Sequence, residues 1–166
     1  MSDPGALQGW IGLWLFSPVL IGMIWTDVSQ LRIPNAFSKI GLGLFLLSAP
    51  LLGPEETVTR ISIAVLCFAI CFAAFALRLL GGGDAKILPV VMLFVPGGLI
   101  QFYLLLFAAA LAVGLLLIQG SRLLFGRSGP RLAALQTQRD FPMGVSIGLS
   151  GLALAAVPLL ERVAQV

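Results

Sequence analysis

Histidine is absent from the 166 residues. That removes serine–histidine and cysteine–histidine triads, histidine metal sites and imidazole acid–base chemistry together. Charge is nearly as scarce. Only 10% of the residues are Asp, Glu, Lys or Arg, where a soluble domain carries about 25%. So few charges cannot coat a water-facing globule. With 59% hydrophobic residues and a mean hydropathy of +1.06, the composition points to a membrane protein. Cysteine is limited to Cys67 and Cys71, four apart in an apolar run. They read as small packing residues on one helix face rather than as a metal or disulfide pair. No metal site and no cofactor is expected. The net charge of +3 comes from basic residues standing singly between apolar runs. The basic stripe interleaved with aromatics that nucleic acid requires is missing, so no nucleic-acid partner is expected. No Lys or Arg precedes Arg32. The first apolar segment therefore lacks the basic flank of a cleaved signal and reads as a retained membrane helix.

What is present is a series of apolar segments, predicted as helices over 10–26, 37–52, 61–80, 85–95, 99–118 and 142–160. Gly53-Pro54-Glu55-Glu56, Gly81-Gly82-Gly83 and Pro96-Gly97-Gly98 separate them. A helix needs about 20 residues to cross the hydrocarbon core, so the segment at 85–95 is short. Pro96-Gly97-Gly98 favours keeping it apart from the next one. The charges support that division. With six segments and the N-terminus outside, every Lys and Arg except Arg60 and Arg162 falls on the inner side. Fusing the fourth and fifth segments would move Arg122, Arg127, Arg131 and Arg139 outside, against the positive-inside tendency. The expected fold is all-α: a polytopic membrane protein, one domain over 1–166, with six transmembrane helices, both termini outside and the fourth helix short. Membrane lipid is the expected surround, and the four arginines read as anchors near anionic headgroups.

This layout puts Asp27 and Asp84 at the same membrane face, because the chain crosses twice between them. Carboxylates at such a boundary are costly unless paired or solvated. Asp27 has a bland reading as a polar helix-ending residue before Pro34. Yet a carboxylate at a helix C-terminus meets the negative end of the dipole, which calls for another reason. Asp84, in Gly81-Gly82-Gly83-Asp84-Ala85-Lys86, has a bland reading as a loop residue capping the fourth helix. Three glycines there cost conformational entropy but allow close approach of another chain. Lys86 reads as an interfacial anchor, and Gly144 with Gly148 as a small-residue pair for helix packing. If the two carboxyls meet, they can hold one proton between them, one acting as base on water and the other as acid on a carbonyl. The dipoles of their own helices would make Asp84 the base and Asp27 the acid, although a coupled pair titrates as a unit.

These residues resemble the type IV prepilin peptidases, particularly the small forms of Flp/Tad-type pilus systems. Asp27 followed by Ile33-Pro34-Asn35 is similar to the first family motif. Gly81-Gly82-Gly83-Asp84-Ala85-Lys86 is similar to the second, Gly-x-Gly-Asp with a lysine two residues on. Phe141-Pro142-Met143-Gly144 is a weaker third match. The resemblance implies that Asp27 and Asp84 are the catalytic pair, with Gly81, Gly83, Lys86, Pro34 and Asn35 supporting them. It also implies an aspartic endopeptidase without cofactor. The substrate would be a prepilin or pseudopilin with a basic leader and an apolar helix, cut at the cytoplasmic face of a bacterial or archaeal inner or plasma membrane. The paired Cys-x-x-Cys motifs of longer relatives, which also methylate the new N-terminus, do not occur here, so cleavage without methyl transfer is expected. Ser29 and Met143 stand where relatives often carry a basic and an aromatic residue. The competing reading is a non-catalytic membrane scaffold, or a transporter subunit whose carboxylates handle protons.

Overall fold

The computed structural model describes residues 4–30, 32–125 and 143–164. Their regular structure is helical throughout: α1 (Pro4–Gln30), α2 (Asn35–Ser48), α3 (Pro54–Ala76), α4 (Gly82–Met92), α5 (Ile100–Phe125) and α6 (Met143–Ala164). Short 3₁₀ turns follow α2 and precede α5. Arg127, Arg131, Arg139, Phe141 and Pro142 lie outside the described residues, as do the side chains of Arg122 and Arg162.

Four stretches are long and apolar enough to cross a membrane: Gln8–Gln30, Pro54–Ala76, Gly97–Leu116 and Met143–Glu161. Their outward faces carry exposed Val65, Leu66, Ile70, Leu105 and Leu116. Water would penalise such a surface, whereas hydrocarbon would not. The apolar helix at Asn35–Leu51 is shorter. With 11 residues, α4 extends about 16 Å at ~1.5 Å per residue.

Burial explains the shortness of α4. It is the innermost helix, packed against α2, α3 and α6. Ile87, Val90, Val91, Met92, Leu93, Phe94 and Val95 form a buried run along it and just beyond. Phe94 stacks on Phe16 of α1 at 4.4 Å between ring centroids. Close approach is set by small residues. A side chain at Gly41 would meet Val90 Cγ1 at 2.5 Å and Phe16 at 2.8 Å. On α6, Gly148 faces Ile24 and Met23, and Gly151 faces Leu20. The expected packing role of Gly148 is met against α1. The Trp14 indole N–H also donates to the Ala155 carbonyl across the same pair at 2.9 Å.

Helix ends depart from expectation in ways that matter. Instead of following the first helix, Asp27 lies inside the last turn of α1. Nor does Gly53-Pro54-Glu55-Glu56 merely break the chain. It starts α3, with Pro54 in the first turn and two acids at the positive end of the dipole. The bland reading of Asp84 as a cap of α4 does not hold: Gly81 is the cap residue and Asp84 stands in the first turn.

The end of α3 carries an unusual residue. Leu79 N–H bonds to the Ala74 carbonyl and Arg78 N–H to the Phe75 carbonyl, the paired bonds of a Schellman ending. Arg78 holds the left-handed position, with φ 60°, which a side chain makes costly. Arg78→Gly should stabilise the fold by about 0.5–1 kcal/mol, read as a rise in the unfolding midpoint in detergent.

Candidate active site

Three helix ends converge here: the last turn of α1, the first turn of α4 and the first turn of α6. The link between α1 and α2 runs through the middle of them. It contains Ile33-Pro34-Asn35, with Pro34 (φ −58°, ψ 138°) turning the chain into α2.

Asp27 is 5% exposed. A buried carboxyl needs hydrogen-bond partners. Its Oδ2 accepts the Val145 N–H at 3.1 Å. This is a free donor in the first turn of α6, where backbone N–H groups have no intrahelical acceptor. Gly144 makes the approach possible. A Cβ there would lie 2.8 Å from Asp27 Oδ2 and 2.7 Å from Ile33 Cδ1.

Asp84 sits across the cleft, with its carboxyl folded back over Gly81. A Cβ at Gly81 would come within 2.8 Å of Asp84 Oδ2, so that rotamer requires a glycine. Gly83 serves a different contact. A side chain there would meet Ile33 Cβ at 3.2 Å and the Ile33 carbonyl at 3.5 Å. The glycine lets α4 begin directly against the α1–α2 link. Burial first, and then the facing Asp27 carboxyl, push Asp84 up to about 6. Like charges sharing a site cannot easily both ionise, and the protonated form of one is favoured.

The two sequence motifs are also tied to each other. Lys86 Nζ donates to Asn35 Oδ1 at 3.1 Å. Lys86, expected to be an interfacial anchor, thus also bridges α4 to the start of α2. The resulting polar cleft holds about 590 Å³ and is lined by Asp27, Gln30, Arg32, Ile33, Pro34, Asn35 and residues Gly81 to Asp84. Of the residues singled out in the sequence, Asp27, Asp84, Gly81, Gly83, Pro34 and Asn35 all face it, and Lys86 borders it through Asn35.

Sequence reasoning missed two contributors. Ile33 appeared only as part of a motif, yet it is wedged between Gly83 of α4 and Gly144 of α6. Gly144 was read as a packing glycine, yet it touches the Asp27 carboxyl. The Phe141-Pro142-Met143-Gly144 match was the available signal for it. Cys67 and Cys71 are free, with sulfurs 3.9 Å apart.

A buried and a half-buried carboxyl sharing a glycine-lined polar cleft can activate a water molecule and polarise a carbonyl without metal or imidazole. Comparison with known proteins agrees at the level of family. The type IV leader peptidase family model matches residues 14–118, well over half of the chain and spanning both aspartates. No curated protein and no solved structure matches the chain. With that match and this geometry, the chain belongs to the type IV leader peptidase family.

Proposed function

We propose that this peptidase is an aspartic endopeptidase whose catalytic pair is Asp27 and Asp84. It removes the basic leader of prepilin-like or pseudopilin substrates at the cytoplasmic face of a bacterial or archaeal plasma membrane. The observation that carries the reading is that both carboxyls open onto one polar cleft, although they belong to different helices. The charge distribution supports a six-crossing layout in which the fourth apolar run begins at Ala85, just past Asp84. Methyl transfer is not part of the proposal.

The chemistry uses one ionised and one protonated carboxyl. The ionised member takes a proton from a water molecule, whose oxygen bonds to the scissile carbonyl carbon. The protonated member gives its proton to the carbonyl oxygen. The tetrahedral intermediate then collapses, the C–N bond breaks, and the leaving nitrogen takes up the proton held by the base. As the carbonyl re-forms, one hydroxyl of the intermediate returns its proton to the former donor, so the pair again holds one proton, and the leader carboxylic acid and new amine then settle to carboxylate and ammonium in water.

The apolar part of the substrate has a place beside the cleft. Helices α2 and α3 both flank α4, leaving a trough of about 620 Å³ between them. Phe45, Ile61, Val65, Phe68, Val90 and Leu93 line it. Asn35 lines both trough and cleft, so the two are continuous. A substrate helix in the trough would deliver its unwound N-terminal end to the aspartates. Lys39 and Lys86 stand at the junction and would repel the basic leader from the trough, leaving it on the cleft side. Val65 lines the trough and is 61% exposed, so it can be enlarged without repacking the core. Val65→Trp is expected to raise KM for a full prepilin about tenfold with kcat little changed. Equal kcat and KM in variant and parent would place the apolar helix elsewhere. The catalytic assignment is tested by replacing each aspartate with asparagine and following leader cleavage.

A further inference from the structure

Asp27 is held by a helix that is not its own. The dipole of α1 alone disfavours charge on Asp27. The arrangement around it reverses that expectation. Its carboxyl faces the opposite, positive end of α6, where the Val145 N–H donates to Oδ2 at 3.1 Å and Gly144 lets the backbone approach the carboxyl closely. N–H donors favour the ionised form of a carboxyl, and carboxylate bonds to free amides at a helix start are strong. Asp84 has no comparable cradle. Its carboxyl lies over Gly81; burial opposes charge on both carboxyls, so the amide contact from α6 is what distinguishes them. The charged groups that line the cleft with Asp27 are Asp84 on α4 and Arg32 on the α1–α2 link. The described part of α6 within its first turns, Met143 to Ser150, carries none.

We propose that Asp27 is the ionised base and Asp84 the proton donor, and that Gly144 is a positioning residue that lets the amino end of α6 clamp the Asp27 carboxylate. The inference rests on the aspartic peptidase reading above. It assigns a function to a glycine beyond the matched segment, which ends at residue 118. Any side chain at 144 must displace both the carboxylate at 2.8 Å and Ile33 at 2.7 Å. Displacing the carboxylate breaks its bond to the Val145 amide and misaims the base toward the water. Misplacement of this kind lowers turnover more than binding.

The test uses the full chain in detergent and a synthetic peptide with a basic leader followed by an apolar helix. Gly144→Ala is compared with Gly148→Ala on the same helix. A Cβ at Gly148 would meet Ile24 at 2.5 Å, an equal or greater packing insult with no contact to Asp27. The expected result is that Gly144→Ala lowers kcat 10- to 100-fold with KM within twofold, while Gly148→Ala retains kcat despite a similar drop in unfolding midpoint. The residual activity of Gly144→Ala should lose its acidic limb at a higher pH than the parent. Adding Ile33→Ala relieves the other clash and should not restore kcat. A comparable kcat loss in both glycine variants, or recovery with Ile33→Ala, would reduce Gly144 to packing. Movement of the alkaline limb instead of the acidic one would make Asp27 the acid. Failure of the parent protein to cleave, or full cleavage by the aspartate variants, would count against the peptidase reading itself and is read separately.

Discussion

Asp27→Asn and Asp84→Asn should each reduce leader cleavage on the order of 10³-fold or more, while the protein still inserts and folds. A positioned acid or base contributes roughly 10²–10⁴ in rate, and neither amide can replace the carboxyl it succeeds. The folding half of the expectation comes from the local geometry. Asparagine at 27 keeps an oxygen that can accept the Val145 N–H, so the contact between α1 and α6 survives without the charge. At 84, the charge itself is unfavourable, because burial and the facing carboxyl both oppose it. Replacing Asp84 with a neutral isostere should leave the unfolding midpoint unchanged or slightly raised. A residue kept for packing would behave in the opposite way, with stability falling and activity following it. Processing of a co-expressed prepilin, read as a mobility shift, gives the activity, and thermal unfolding in detergent gives the stability. Full processing by either single variant would remove that aspartate from the chemistry. A proton-handling scaffold would show no cleavage in the parent either.

The parts of this site that were legible in the sequence are those that depend on order along the chain. Two apolar segments between Asp27 and Asp84 gave the expectation of one shared face, and both residues line one cleft. Ile33-Pro34-Asn35 and Gly81-Gly82-Gly83-Asp84 are local words, and both line the cleft. The parts that were not legible depend on helices meeting far apart in sequence. Val145 and Asp27 are 118 positions apart, and no periodicity in α6 marks Gly144 as facing a carboxylate rather than a leucine. Helix ends were misplaced for a related reason. Apolar content stops at the membrane boundary, but backbone hydrogen bonding continues. Polar Asp27 and Glu55-Glu56 therefore looked like interruptions when they are terminal turns. The distinction has a chemical consequence, since a residue in a last turn is oriented by the helix and a loop residue is not.

The opposite end of the bundle carries a second charged cluster, and its loss should cost stability rather than chemistry. Arg60 is 1% exposed, although it is among the longest side chains in the core. Its Nε donates to Glu56 Oε1 at 2.8 Å, its Nη2 to the Gly9 carbonyl at 3.0 Å and its Nη1 to the Phe94 carbonyl at 3.3 Å. Glu56 Oε1 also accepts the Gly97 N–H at 2.9 Å. One guanidinium thereby ties α3 to the start of α1 and to the end of α4. Glu56→Ala removes the carboxylate partner of the buried guanidinium, which keeps the Gly9 and Phe94 carbonyls; with Glu56 36% exposed, the cost is about 1–3 kcal/mol. Arg60→Ala leaves the Gly9 and Phe94 carbonyls without this donor and opens a cavity, with a cost of similar size. Both variants should unfold at clearly lower temperature, while the folded fraction keeps its kcat, because Phe94 lies just past the end of α4 remote from Asp84. A drop in kcat per folded molecule would mean that the clamp also sets the aspartates. The same cluster accounts for one irregularity in the charge pattern. Arg60 was one of two basic residues on the wrong side of the expected layout. A guanidinium enclosed by Glu56 and two carbonyls is not free at the membrane surface, so it does not oppose that orientation as a loop arginine would.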